Sequence, residues 1–135
     1  KNDAFRQQLK TYKYRDDIVL TGYLPEEAMK DILASAYALV YPSLWEGFGL
    51  PVLEAMQSGV PVLASNNSAL PEIAGGAALY SEPENAEDWG RGMGLLYKDE
   101  NYRVKLIQQG FERASFFSWK KSSLALHRIF GETVS

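Results

Sequence analysis

Two carboxylates, Glu46 and Glu54, flank a Gly47-Phe48-Gly49 turn and the apolar opening of a helix in "YPSLWEGFGLPVLEAMQSGVPVLAS", residues 41–65. A helix N-terminus leaves its first amides without intrahelical partners and bears the positive end of the dipole, so it suits an anion such as a phosphate. The free N–H groups expected here are those of residues 49–52, less Pro51, which has none. Gly47 and Gly49 let the backbone come close to a ligand or adopt conformations closed to other residues. Two acids beside an anion site make chemical sense when the ligand also bears hydroxyls, because a carboxylate accepts from an alcohol in a charge-assisted hydrogen bond. A sugar nucleotide supplies both: a diphosphate for the helix end, and sugar and ribose hydroxyls for the acids.

Such a loop must be held by a scaffold, and the flanking sequence reads as one. "NDAFRQQLKTY" predicts a first helix and "DIVLTG" (17–22) a short strand. "LPEEAMKDILASA" predicts a helix with Pro25 at its first position and Glu26 and Glu27 at the positive end of its dipole. "ALVYP" (38–42) is a continuous apolar run of the kind found in central parallel strands. A helix over 50–58 ends at Gly59, and "VPVLAS" (60–65) predicts the next strand, with Pro61 confined to its first residues. "ALPEIAG" reads as a short helix stopped by Gly75 and Gly76, and "AALY" (77–80) as a last strand.

Beyond Pro83 the pattern is helical only. Trp89, Met93 and Leu96 share one face of a helix weakened by Gly90, Gly92 and Gly94, and Val104, Ile107, Phe111 and Ala114 repeat at helical spacing in the next. Ser118 reads as the N-cap of a final helix carrying Trp119, Leu126 and Phe130. Strands alternating with helices imply an α/β fold with a parallel, doubly wound sheet, whose ligands bind outside the carboxyl ends of the strands. The loop at 42–49 leaves such an end.

Composition narrows the function classes. The 135 residues hold no cysteine and one histidine, His127, which excludes disulfides, a thiolate nucleophile and a cysteine- or histidine-rich metal site. Net charge is −3 with no basic run, which argues against a nucleic acid partner. No apolar stretch is long enough to span a bilayer and no signal-peptide pattern opens the chain, so a cytoplasmic location is expected. The charges at 98–105 and 112–121 read as solvated faces, with peripheral membrane contact as the alternative.

With Pro42-Ser43 before the first acid and Glu54-Ala55-Met56 at the second, from which seven residues separate it, the segment resembles the signature of family 4 glycosyltransferases. These are retaining enzymes of the GT-B fold. "GYLPEEAMKDILASAYALVYPS" and "FFSWKKSSLALHRIF" resemble the elements on either side, so the similarity runs from about Asp16 to Phe130. The resemblance implies a Rossmann-like, donor-binding carboxyl-terminal domain followed by helices. It implies that Glu46 holds the donor sugar at its anomeric carbon as a positioning residue, and that amides around Gly47, Phe48, Gly49 and Leu50 meet sugar and diphosphate. Glu54 would accept from the ribose, and Tyr23 and Leu24 would border the nucleobase. No cofactor and no metal ion are implied. The partners are a nucleoside-diphosphate sugar and a carbohydrate or lipid-linked acceptor, the latter held by an amino-terminal domain.

The family's basic pair after a glycine-rich turn is not found before Lys1, and neither Lys10 nor Arg15 is placed to replace it. The expectation is therefore a donor-binding half without its first strand and acceptor domain, inactive alone and prone to self-association. Two other readings stand beside it: a non-catalytic module that binds nucleotide or a partner protein, and a sugar-nucleotide epimerase of the same fold, which fits the two-glutamate segment less well. Residue by residue, the plainer roles are packing for the Phe48 side chain, partial core cover for Tyr23 and turn formation for Asn66, Asn67 and Ser68. Helix packing is expected of Trp89, Trp119, Phe116 and Phe117, and a structural or exposed role of His127.

Overall fold

The computed structural model describes residues 3–118, 120–124 and 127–128. Helices α1 (Asp3–Thr11) and α2 (Glu26–Ser35) precede strand β1 (Leu39–Tyr41). Then follow α3 (Leu50–Gln57), β2 (Val62–Ser65), α4 (Leu70–Ala74), β3 (Ala78–Ser81), α5 (Ala86–Lys98) and α6 (Glu100–Ser115). The three strands form one parallel sheet in the order β1-β2-β3, with Leu39 opposite Val62 and Val62 opposite Ala78. The α/β, doubly wound architecture is thus as expected.

Strand β2 is buried along its whole length, which a parallel strand covered on both faces requires. Val62 and Ala64 join one core with Val52, Ala55 and Met56 of α3, Leu70 and Ala74 of α4 and Ala114 of α6. Leu63, pointing the other way, joins Trp89 and Leu96 of α5 and Leu106 of α6. Helix α6 therefore contributes to both cores and ties the two faces together. Leu39 and Tyr41 of β1 pack on the first core, the face that α3 covers.

Several expectations are corrected. Residues 17–22 form no strand: Arg15–Asp17 is a 3-10 turn, and Ile18 leaves it in an extended conformation. An apolar run becomes a strand only where a neighbour supplies the ladder, and among the described residues none lies beside it; Val19 remains 80% exposed. Pro25 sits one residue earlier than expected, at the N-cap of α2. In α5 the buried residues are Trp89, Gly92 and Leu96, while Met93 is exposed. Gly92 lies so close to β2 that a Cβ there would meet Leu63 Cδ1 at 2.9 Å, so this glycine permits the packing of the helix.

The buried stripe of α6 is Leu106, Gly110 and Ala114. Val104 and Phe111 are exposed. Gly110 again explains the shift, since a Cβ there would stand 3.3 Å from Met56 Cγ, and the two helices meet through the smallest residue available. Ser118 caps a helical segment at 120–124 by accepting from the Lys121 amide at 3.1 Å. Trp119, Leu126 and Phe130 lie outside the described residues.

Candidate functional site

The loop of residues 42–49 leaves the carboxyl end of β1 and enters α3 through Gly49. Gly49 is the N-cap in a left-handed conformation, φ 89° and ψ 43°, a region that other residues occupy only at a cost. Space excludes a side chain as well, because a Cβ at Gly49 would fall 2.7 Å from Leu70 Cδ2. Gly47 differs: its φ is not of this kind, and a Cβ there would meet nothing within 4 Å. Of the two glycines, one is required by the turn, and the other leaves the loop bare.

The conformation at Gly49 also changes which amides are free. The Val52 and Leu53 N–H groups donate back to the Gly49 carbonyl, at 3.0 and 3.4 Å. The expected set at 49–52 is therefore corrected by losing Val52. Among the described residues the amides of Gly47, Phe48, Gly49 and Leu50 have no hydrogen-bond partner. No side chain caps the helix. Four unpaired donors thus collect around the positive end of a two-turn helix.

The loop is fastened from several sides. The Ser43 amide donates to the hydroxyl of Ser65, a fully buried side chain at the end of β2 (2.9 Å). Asn67 donates through Nδ2 to the Leu44 carbonyl at 2.7 Å, and the Ala69 amide donates to the Glu46 carbonyl at 3.4 Å. Within the loop the Ser43 hydroxyl donates to the Trp45 carbonyl. Leu44 and Trp45 themselves point into solvent. Ser65 is a residue that sequence reasoning missed as part of the site; "NNS" read equally as site lining or as a turn, and Asn67 serves the site by holding its loop.

Glu46 is partly buried, and its Oε2 accepts from the Tyr41 hydroxyl at 2.8 Å. Burial, reinforced by the Glu46 hydrogen bond and charge, pushes the Tyr41 hydroxyl up to about 12, so it stays protonated and donating at neutral pH. Glu54 lies one turn into α3, exposed beside the buried Leu53 and Ala55. It lines a cleft of about 200 Å³ with Phe48, Leu50, Leu53, Gln57, Phe117, Ser118 and Ser122. Glu46 is not part of that cleft, so the two acids do not share that cavity. Lys30 of α2 is held by Glu26 at 2.6 Å and raised above the usual lysine range chiefly by that bond, with a smaller contribution from the field of Glu54. That coupling places a cation of α2 within electrostatic reach of Glu54.

Phe48 is 44% exposed and meets Phe117 edge-to-face, with ring centroids 6.3 Å apart. The Arg113 guanidinium lies 5.2 Å from the Phe117 ring and donates to the carbonyls of Glu72 and Ile73 in α4. Phe117 therefore forms a wall of the cleft rather than interior helix packing, and Phe116 beside it is exposed. Trp89 is buried as expected, donating through Nε1 to the Glu82 carbonyl. Tyr23 is 96% exposed, so it is not a partial core cover; neither it nor Leu24 lines the cleft at the helix tip. His127 is exposed.

A larger, open cleft of about 880 Å³ lies beyond the carboxyl ends of β2 and β3, lined by Leu44, Asn66, Asn67 and residues 82–87. Its acids, Glu82, Glu84 and Glu87, give it the wrong sign for a diphosphate. Glu82 is already engaged by Asn66 Nδ2 at 2.7 Å. Size alone favours this cleft; the four unpaired amides favour the tip of α3. Among the described residues no three His, Asp or Glu side chains are grouped so as to hold a metal ion, and no helix is long and apolar enough to cross a membrane.

Comparison with known proteins bears on this arrangement. The O-antigen chain mannosyltransferase B of Escherichia coli is 40% identical over 99 residues, covering 73% of this chain and 26% of that protein. The mannosylfructose-phosphate synthase of Agrobacterium fabrum is 31% identical over 120 residues, 87% of this chain and 26% of that protein. The chain thus spans about a quarter of the length of these relatives. Among solved structures, sucrose-phosphate synthase from Thermosynechococcus elongatus superposes with a TM-score of 0.86 at 25% identity, over 96% of this chain and 33% of that one. The carboxyl-terminal domain of a glycosyl transferase group 1 family protein from Francisella tularensis gives 0.75 at 26% identity, over 85% of this chain and 63% of that one. The family model described as "Glycosyl transferases group 1" matches residues 1–113, and the chain belongs to that family.

Proposed function

We propose that this chain is the donor-binding part of a retaining glycosyltransferase. The whole enzyme moves a hexosyl unit from a nucleoside-diphosphate sugar to a sugar, polysaccharide or lipid-linked acceptor held by a separate amino-terminal domain. The observation that carries the reading is the group of four unpaired amides at Gly47, Phe48, Gly49 and Leu50, flanked by Glu46 and Glu54. The diphosphate lies against those amides. Glu46 accepts from hydroxyls of the donor sugar, Glu54 from the ribose, and the open ground near Tyr23 and Leu24 receives the base. The relatives named as mannosyltransferases favour mannose over glucose as the transferred sugar.

Catalysis on this reading is positioning and electrostatics. Amide donors fixed before the reaction stabilise the charge that grows on the departing diphosphate without having to reorganise. The leaving phosphate takes the acceptor proton on the face from which it departs, which preserves configuration and leaves Glu46 as a positioning group rather than a base. The reading requires no metal ion and places the enzyme in the cytoplasm, in peripheral contact with a membrane where its acceptor is lipid-linked.

The test is calorimetric titration of the natural full-length protein with GDP-mannose and UDP-glucose. Wild type is expected to bind one of them. Glu46→Ala is expected to lower the affinity for the sugar nucleotide and spare that for the bare nucleotide, whereas Glu54→Ala lowers both, each by roughly tenfold or more for a lost charge-assisted hydrogen bond. Unchanged binding in both variants would overturn the reading.

A further inference from the structure

Glu46 is gripped in a way that the donor-binding reading does not by itself require. Tyr41 occupies the last position of β1, opposite Ala64, with its ring against the core that α3 covers. Its hydroxyl reaches across the four intervening residues of loop to Glu46 Oε2 at 2.8 Å. The other carboxylate oxygen, Oε1, has no partner among the described residues. We propose that Tyr41 is a positioning residue for the donor sugar. Anchored in the sheet, it holds one oxygen of Glu46 so that the other is presented in a fixed orientation to a sugar hydroxyl. The inference rests on the role given above to Glu46 and assigns a second residue to the same site.

Physical reasons favour this over a simple loop staple. The backbone at Glu46 is already fixed by the Ala69 amide, and the loop by Ser65 and Asn67, so the loop does not depend on Tyr41 for its course. The tyrosine bond therefore removes the one freedom left, rotation of the carboxylate about its own side-chain torsions. A phenol with its proton held well into the alkaline range donates without competing for the acceptor role of Glu46. A hydroxyl anchored in a core is also stiffer than one on a loop, and stiffness is what a positioning group supplies.

The experiment is a double-mutant cycle in the natural full-length protein, using GDP-mannose and UDP-glucose as sugar-bearing probes and GDP and UDP as sugar-free ones. The quantity read is the ratio of sugar-nucleotide to nucleotide affinity. Tyr41→Phe is expected to lower that ratio about fivefold or more while leaving the bare-nucleotide affinity unchanged. In a Glu46→Ala background the same substitution is expected to change nothing, because the group it positions is gone. Tyr80→Phe is the control: it removes a hydroxyl that donates to the Gly75 carbonyl in the same core, far from Glu46 in sequence, and is expected to leave the ratio intact.

An equal effect of Tyr41→Phe with and without Glu46 would overturn the inference, because it would show a general loss of fold. So would an unchanged ratio in a wild-type background. Since any folding penalty cancels around the cycle, a lowered melting temperature does not blur the result. Failure of the wild type to bind either nucleotide sugar would overturn the donor reading and this inference together, whereas donor binding without coupling would overturn this inference alone.

Discussion

The tip of α3 and the segment from α1 to α2 are both rich in apolar side chains, and the fold treats them in opposite ways. Helix α3 buries Val52, Leu53, Ala55 and Met56 and holds its entry loop through Ser65, Asn67 and Ala69. Neither α1, the 3-10 turn nor α2 buries a single residue, and Met29 and Ile32 of α2 are exposed. The difference shows that the candidate site is built from its carboxyl-terminal side. What fixes the loop after β1 is the end of β2 and the turn that follows it, with little structural support from the elements that precede β1.

That contrast can be broken at its most constrained point first. Gly49→Ala forces a Cβ into the left-handed region and against Leu70, and should cost about 2–5 kcal/mol, from backbone strain of roughly 1–2 and overpacking of roughly 1–3. Urea unfolding of the chain measures it, and a change below about 0.5 kcal/mol would mean that the turn is not as described.

Ser65→Ala comes next. It leaves the partly buried Ser43 amide without its partner, an expected loss of about 1–3 kcal/mol by the same measurement. Ile32→Ser, on the exposed side of the comparison, should move stability by no more than about 0.5 kcal/mol. A loss comparable to that of Ser65→Ala would show that the Ile32 side of α2 is packed like its Leu33 side.

A further effect is expected from pH. Tyr41 binds its proton more tightly in the folded chain than in the unfolded one, so its contribution is complete below about pH 10 and is lost as pH rises toward about 12. Wild type should therefore lose stability relative to Tyr41→Phe between those values and not below them. Parallel unfolding curves of the two proteins at pH 9 and pH 11 check the sign.

Much of this arrangement was legible in the sequence, and the gaps have physical causes. Alternation of apolar runs with helical periods gave β1, β2 and β3 and the helices between them, because burial on both faces leaves continuous apolar runs. The two glutamates and the turn between them stood out because their spacing around glycines is local. The strand expected at 17–22 failed because an apolar run records a wish for burial and says nothing of the neighbour that must supply hydrogen bonds. The buried face of α6 was only partly placed: Ala114 lies on it, but Val104 and Phe111 are exposed and Gly110, which no apolar pattern marks, packs against Met56. The clamp on the loop was invisible because Ser43 and Ser65, like Leu44 and Asn67, are joined only by the fold. The free amides were off by a step because Gly49 turns its own carbonyl toward Val52.

The central claim is that a diphosphate rests on the amides of residues 47–50. Amide NMR of the natural full-length protein, labelled at glycine, phenylalanine, leucine and asparagine and titrated with GDP or UDP, addresses it directly. The account predicts that Gly47, Phe48, Gly49 and Leu50 shift together while Asn66, Asn67 and Asn85 of the larger acidic cleft stay in place. Shifts confined to that cleft, with the tip of α3 unmoved, would contradict it.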